Sequence, residues 1–196
     1  LAKPGYQCAP IALGINTDAW QPVERRLGVT RGILELLNEC RHPVSVITKS
    51  ALILRDIDLL SALARENLVH VGVSITSLDP SIARTMEPRA ASGQRRLAVV
   101  KALAAAGIPV TVLVAPLIPS LTDHELESIL EAAVKAGATS AEYIILRLPH
   151  EVKPLFRDWL ERNQPGRSEH VYSLLRQMHG GKEYDDRYPD GIPTTL

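Results

Sequence analysis

The sequence has little of what marks a specialised chain. Only two cysteines occur in its 196 residues, Cys8 and Cys40. Thiols this far apart, with no secretory signal, read as reduced thiols rather than as a disulfide framework, and they lack a metal-ligand spacing. Charge of one sign is not in excess: 22 basic residues face 22 acidic ones. No global field therefore draws the chain onto nucleic acid or an anionic membrane, and any nucleic-acid contact has to be local. No apolar run reaches the roughly 18 residues that span a bilayer. The opening Leu1-Ala2-Lys3-Pro4-Gly5 lacks the charged and apolar regions of a signal peptide, which makes the cytoplasm the expected location. The six histidines form no metal-ligand cluster, and neither a Gly-rich phosphate loop nor a nucleophile elbow is present.

What is there alternates in a regular way. Pro10 to Ile15 is an apolar run too short for a helix, and it stops at Asn16-Thr17-Asp18, so it reads as a buried strand with a polar end. Ile33, Leu36, Leu37 and Cys40 then recur at helical spacing, predicting a helix that buries that face. Val44-Ser45-Val46-Ile47 leads into Thr48-Lys49-Ser50, a second strand with a second polar end. Ile57, Leu60 and Leu63 mark a helix, and Val69 to Val73 a third strand running into Ser74-Ile75-Thr76-Ser77. Asp79 before Pro80 caps a short helix, and Ser92 caps a longer one that Gly107 ends. Pro109 to Ala115 is the fourth strand. Thr122 with Glu125 predicts a capping box for a helix ended by Gly137, and Tyr143 to Leu146 forms a fifth strand reaching Arg147.

Strands of nearly continuous apolar character, each followed by a helix, predict an α/β fold with a parallel sheet covered on its outside. The junctions Ala104-Ala105-Ala106-Gly107 and Val134-Lys135-Ala136-Gly137 look like one unit used twice, as in a barrel or partial barrel. The expected organisation is five βα units over residues 1–150, two closing helices over 151–179 around Phe156, Trp159, Leu160, Val171, Leu174, Leu175 and Met178, and a Gly, Pro and Asp rich tail over 180–196.

Parallel sheets bind ligands at the carboxyl ends of their strands, so the polar strand ends are the candidate site. Asn16, Thr17 and Asp18 either turn the chain or bond a ligand's amino or hydroxyl groups. Lys49 at a strand end calls for an anionic partner. That partner is a ligand carboxylate or phosphate, or a structural carboxylate such as Asp18; alternatively Lys49 is a Schiff-base lysine. Ser74 and Thr76 share one strand face and donate to a ligand or to a neighbouring carbonyl. Arg84, Arg89, Arg95 and Arg96 make a basic stretch, either a solvated face or a phosphate contact. Arg147 closes an apolar strand and wants a planar anion, with Glu87 or Glu142 as structural alternatives. Cys8 reads as a buried or half-buried thiol.

The segments Ala12-Leu13-Gly14-Ile15-Asn16-Thr17-Asp18, Gln21-Pro22-Val23-Glu24, Val46-Ile47-Thr48-Lys49-Ser50, Met86-Glu87-Pro88-Arg89 and Val114-Ala115-Pro116-Leu117-Ile118-Pro119, in this order, resemble radical S-adenosylmethionine proteins. The nearest likeness is to the bacterial branch related to spore photoproduct lyase, often labelled DNA repair photolyase, and it covers about residues 5 to 185. The resemblance implies a partial (β/α)6 TIM-like barrel. It also implies a 4Fe-4S cluster on a CxxxCxxC loop, and a 5′-deoxyadenosyl radical made from S-adenosylmethionine with an electron donor. By position, Asn16, Thr17, Asp18, Lys49, Ser74, Pro116 and Leu117 would face the cofactor, with Lys49 on its carboxylate, and Thr76 and Arg147 would face the substrate. The CxxxCxxC loop is absent here. The expectation is therefore a chain that starts downstream of the first βα unit and does not itself build the cluster. DNA or another nucleic acid is the expected partner of the branch. The competing readings are a Lys49 Schiff-base lyase and a non-catalytic nucleic-acid-binding domain.

Overall fold

The computed structural model describes residues 3–178 together with Gly180 and Gly181. Most of the expected tail, residues 182–196, and His179 lie outside the described residues. Two compact units divide the chain, one built from residues up to Ala115 with Glu125–Tyr143, the other from Pro116–His124 with residues from Ile144 on.

The first unit is organised by five strands, β1 (Ile11–Leu13), β2 (Val44–Thr48), β3 (Val69–Ser74), β4 (Val110–Leu117) and β5 (Ser140–Ile145), of which the last two residues of β4 and of β5 fall in the second unit. They lie in one sheet in chain order, with β1 to β4 paired in parallel. Among the described residues eight α-helices accompany them: α1 (Glu24–Leu27), α2 (Val29–Glu39), α3 (Ile57–Arg65), α4 (Pro80–Met86), α5 (Gly93–Ala105), α6 (Leu126–Ala136), α7 (Val152–Asn163) and α8 (Ser168–Met178). Sequential parallel strands joined through helices are the topology of a partial (β/α) barrel. None of the described helices is long and apolar enough to cross a membrane.

The central strands are buried on both faces, which is why they read as continuous apolar runs: Val44, Val46, Val69, Val71, Val73, Val110, Val112 and Val114 are all in the core. The outer strands differ, because Ala12 of β1 and residues 140–143 of β5 are exposed. The helices settle against the sheet through Leu34, Leu37, Leu60, Leu63, Val99, Val100, Leu103, Ile129 and Ala133. Gly137 closes α6 at φ +95°, and a Cβ there would stand 2.8 Å from the Ala104 Cβ, so glycine serves both the left-handed cap and the α5–α6 approach.

Several local expectations change. The buried stripe of α2 is Thr30, Leu34 and Leu37, whereas Ile33, Leu36 and Cys40, expected inside, face out with Val29. Cys8 is also exposed, not buried. Asp79 and Ser92 cap α4 and α5 as expected, accepting from the amides of Ser81 at 2.7 Å and Arg95 at 3.3 Å. The Thr122–Glu125 capping box does not form. Thr122 Oγ1 instead accepts from the Ile118 amide at 2.9 Å. Glu125 accepts from the amides of Leu78 at 2.7 Å and Asp79 at 3.1 Å and from Ser77 Oγ. In the second unit α7 and α8 pack through Leu160, Val171, Tyr172 and Leu175, while Met178 is exposed.

Candidate functional site at the strand carboxyl ends

The end of β1 is set by backbone geometry. Gly14 has φ +88°, and a Cβ there would lie 2.0 Å from the Ile47 carbonyl oxygen, so only glycine lets the chain leave β1 this close to β2. The following loop is pinned by Asp18. Its carboxylate accepts from the Trp20 amide at 2.8 Å, from Thr48 Oγ1 at 2.8 and 3.0 Å, and from the Lys49 amide at 2.8 Å. Both oxygens of Asp18 thus tie the β1 loop to the end of β2. Asn16 and Thr17, by contrast, are exposed and their side chains make no hydrogen bond among the described residues.

Beneath this loop lies a polar cluster that the sequence did not signal. Trp20 is fully buried and donates Nε1 to Asp56 Oδ2 at 2.8 Å. Asp56 is also fully buried and is held by Arg55 at 2.7 and 2.8 Å and by Arg31 at 3.2 Å. Burial alone would push its carboxyl up; the hydrogen bonds from Arg55, Trp20 and Arg31 outweigh it and hold the group below its ordinary range. Glu24 adds a further tie by accepting from the Thr30 amide at 3.0 Å.

Lys49 does not pair with Asp18 through its side chain. Its Nζ is ion-paired with Glu87, and Glu87 is also bonded by Arg96 Nη2 at 2.7 Å. Arg96 was grouped with a basic stretch, but its side chain is 3% exposed and donates as well to the carbonyls of Ala91 at 2.7 Å and Ser74 at 2.9 Å. Burial works against the Glu87 charge, yet Arg96 and then Lys49 overcome it and lower its pKa. Glu87 is therefore committed to Lys49 and Arg96. Lys49 retains 38% side-chain exposure and meets a carboxylate, not the apolar surroundings that activate a Schiff-base amine.

Ser74 and Thr76 are buried, and both hydroxyls donate to the Ala115 carbonyl at 3.1 Å, the structural alternative weighed for them. Pro116 and Leu117 are the half-buried last residues of β4, and Arg147 is half-buried just beyond β5; all three belong to the second unit. In the first unit a cleft of about 570 Å³ opens at the strand ends, with Asp18, Trp20 and Lys49 on its wall and Arg25, Arg89 and Arg95 also lining it. Among the described residues no group of three or more His, Cys, Asp or Glu side chains is placed to hold a metal ion.

Lys49, the clamped β1 loop and the cleft thus lie at the strand carboxyl ends, where open parallel α/β sheets as a class bind their ligands. The chain belongs to the radical SAM superfamily, whose family model matches residues 23–133. It is 36% identical over 167 residues to the uncharacterized protein Rv2578c of Mycobacterium tuberculosis, which covers 84% of this chain and 49% of that protein. It is 29% identical over 186 residues to the uncharacterized protein MJ0683 of Methanocaldococcus jannaschii, covering 95% of this chain and 67% of that one. A shorter match, 36% over 90 residues, is to the uncharacterized protein ORF301 of Acidianus two-tailed virus. The chain spans about half the length of the mycobacterial relatives it matches.

Proposed function

We propose that this chain supplies one wall of an S-adenosylmethionine site in a radical enzyme of the branch related to spore photoproduct lyase. The carrying observation is the arrangement at Lys49. Its ammonium sits at the carboxyl end of β2 on an open cleft, and its partner Glu87 is held independently by the buried Arg96. A ligand carboxylate can therefore take Lys49 while Glu87 keeps a cation, so the exchange leaves no buried charge unpaired. Asn16 and Thr17, with uncommitted side chains, are available to the polar groups of the same ligand, and Asp18 positions the loop that carries them. By resemblance, Ser74 is assigned to a further cofactor contact and Thr76 to the substrate.

The residues of this chain fit the methionine end of the cofactor but not the 4Fe-4S cluster. Its two cysteines, Cys8 and Cys40, are both exposed and come from separate elements. The cluster is accordingly assigned to a CxxxCxxC loop elsewhere in a longer protein, in line with relatives of which the match covers 49% and 67%. When bound, that cluster would supply the electron that cleaves S-adenosylmethionine. A lyase reaction in DNA repair, an external electron donor and a cytoplasmic location complete the proposal; they rest on resemblance to the branch, which is analogy.

The test is calorimetric titration of S-adenosylmethionine into the protein and its Lys49→Ala variant. A lost charge-assisted contact of about 1.5–3 kcal/mol weakens binding roughly tenfold to a hundredfold. Equal affinity of the two proteins would remove Lys49 from the site.

A further inference from the structure

The cleft carries more positive charge than a carboxylate partner for Lys49 requires. Four cationic side chains, Arg25, Lys49, Arg89 and Arg95, line it against the single carboxylate of Asp18, whose oxygens are already bonded. Other arginines of the same unit are paired, Arg31 with Asp56 and Asp58, Arg55 with Asp56 and Arg96 with Glu87, while Arg26, Arg65 and Arg84 hold no carboxylate among the described residues but lie off the cleft. Arg25, Arg89 and Arg95 hold no carboxylate among the described residues and are exposed. In a chain whose formal charge is zero, four cations against one carboxylate on a single cleft are a local excess of positive charge.

One of the three is also unfavourably placed, whereas Arg25, in the last turn of α1, is not. Arg95 stands in the first turn of α5, which contains no acidic residue. The amino end of a helix favours negative charge, so an unpaired cation there is held against the helix dipole. Arg96, its neighbour in that turn, is compensated by Glu87; Arg95 is not. Arg25 comes from α1 and Arg89 from the turn after α4, so three separate elements deliver guanidinium groups to one opening. A single carboxylate cannot span such a set. A ligand with several anionic oxygens can, and guanidinium forks suit phosphate oxygens. The cleft volume falls within the usual range of roughly 300–1,000 Å³ for small-molecule sites.

We propose that Arg25, Arg89 and Arg95 form a phosphate-binding rim for a ligand carrying more than one phosphate or phosphodiester group. The rim stands apart from the cofactor reading, which uses none of these three residues. Phosphate of this kind comes either from a nucleic-acid backbone or from a free polyphosphate such as a nucleoside triphosphate.

The experiment measures fluorescence anisotropy of a labelled single-stranded oligonucleotide with the chain at increasing salt, with unlabelled oligonucleotide, pyrophosphate and ATP as competitors. The expected result is binding at low salt that weakens by on the order of tenfold or more in the Arg25→Ala/Arg89→Ala/Arg95→Ala variant. The slope of log affinity against log salt should also fall by about two, at roughly 0.7 per lost single-strand phosphate contact. A control variant, Arg26→Ala/Arg65→Ala/Lys101→Ala, removes the same charge outside the cleft lining and should stay within about twofold of the parent. Displacement by pyrophosphate or ATP at concentrations matching the oligonucleotide assigns a free polyphosphate; displacement by oligonucleotide alone assigns the backbone. Absence of binding to the oligonucleotide, pyrophosphate and ATP alike at low salt, an unchanged rim variant, or equal loss in the control would overturn the proposal. Lys49→Ala in the calorimetric titration tests the cofactor site separately, so either assignment can fail alone.

Discussion

Removing the Glu87 carboxylate perturbs the site at the point where its charges balance. In the native structure this side chain is 15% exposed and bridges Lys49 and Arg96, the latter 3% exposed. Glu87→Ala leaves the Arg96 guanidinium buried without a carboxylate. Breaking one side of a buried pair costs about 3–5 kcal/mol. Arg96 keeps its bonds to the Ala91 and Ser74 carbonyls, and Lys49 can turn to water, so the expected loss falls at or below the bottom of that range, about 2–3 kcal/mol. For a chain of this size that lowers the melting temperature by roughly 4–12 °C. Glu87→Gln keeps an acceptor and loses only the charge, so it should cost less, about 1–2 kcal/mol.

The same variant carries a pH signature. Glu87 is depressed below its ordinary value of 4.5, so its contribution is present in full above that value and is lost as pH falls through the lower folded value. Urea unfolding should show the stability gap between the native chain and Glu87→Gln at full size at pH 7 and closing below about pH 4. A Glu87→Ala protein within about 0.5 kcal/mol of the parent, or a gap independent of pH, would refute the view that Glu87 is the carboxylate holding Arg96 in place.

Two further outcomes follow from the geometry. Gly14→Ala places a methyl 2.0 Å from the Ile47 carbonyl at a φ of +88°, so it should destabilise by roughly 3 kcal/mol or more in urea unfolding; a neutral variant would contradict the close approach of β1 and β2. Asp58, held by the Arg31 guanidinium at 2.8 and 3.0 Å, should titrate at about 2 by NMR, and Arg31→Ala should return it toward the ordinary 3.8; unchanged titration would show that the pair does not persist in solution.

The central sheet was legible because β2, β3 and β4 are covered on both faces, and such strands leave an uninterrupted apolar record. The face of α2 was not. It carries two apolar stripes, Leu34 and Leu37 on one side and Val29, Ile33 and Leu36 on the other, and helical periodicity alone does not say which one meets the sheet. Thr122 and Glu125 have the spacing of a capping box, yet Glu125 finds three donors at residues 77–79, and these outweigh the local bond. The polar ends of β1 and β2 do come together on one cleft, through Asp18 and Lys49. Their pairing was not readable, since Lys49, Glu87 and Arg96 meet only through folding, and the sequence offered Asp18 as an equally plausible partner. Arg96 itself showed no sign of burial, lying as it does in a run of charged neighbours. The Trp20–Asp56 contact was missed for the same reason: a buried carboxylate is recognisable only once its donors are in place.

The most direct test of the account is anaerobic iron-sulfur reconstitution of the full-length protein containing this chain, followed by paramagnetic resonance of the reduced cluster with and without S-adenosylmethionine. The account predicts a 4Fe-4S signal that changes when S-adenosylmethionine is added, and no cluster on the 196-residue chain alone. A full-length protein that assembles no cluster, or one whose signal ignores S-adenosylmethionine, would contradict it.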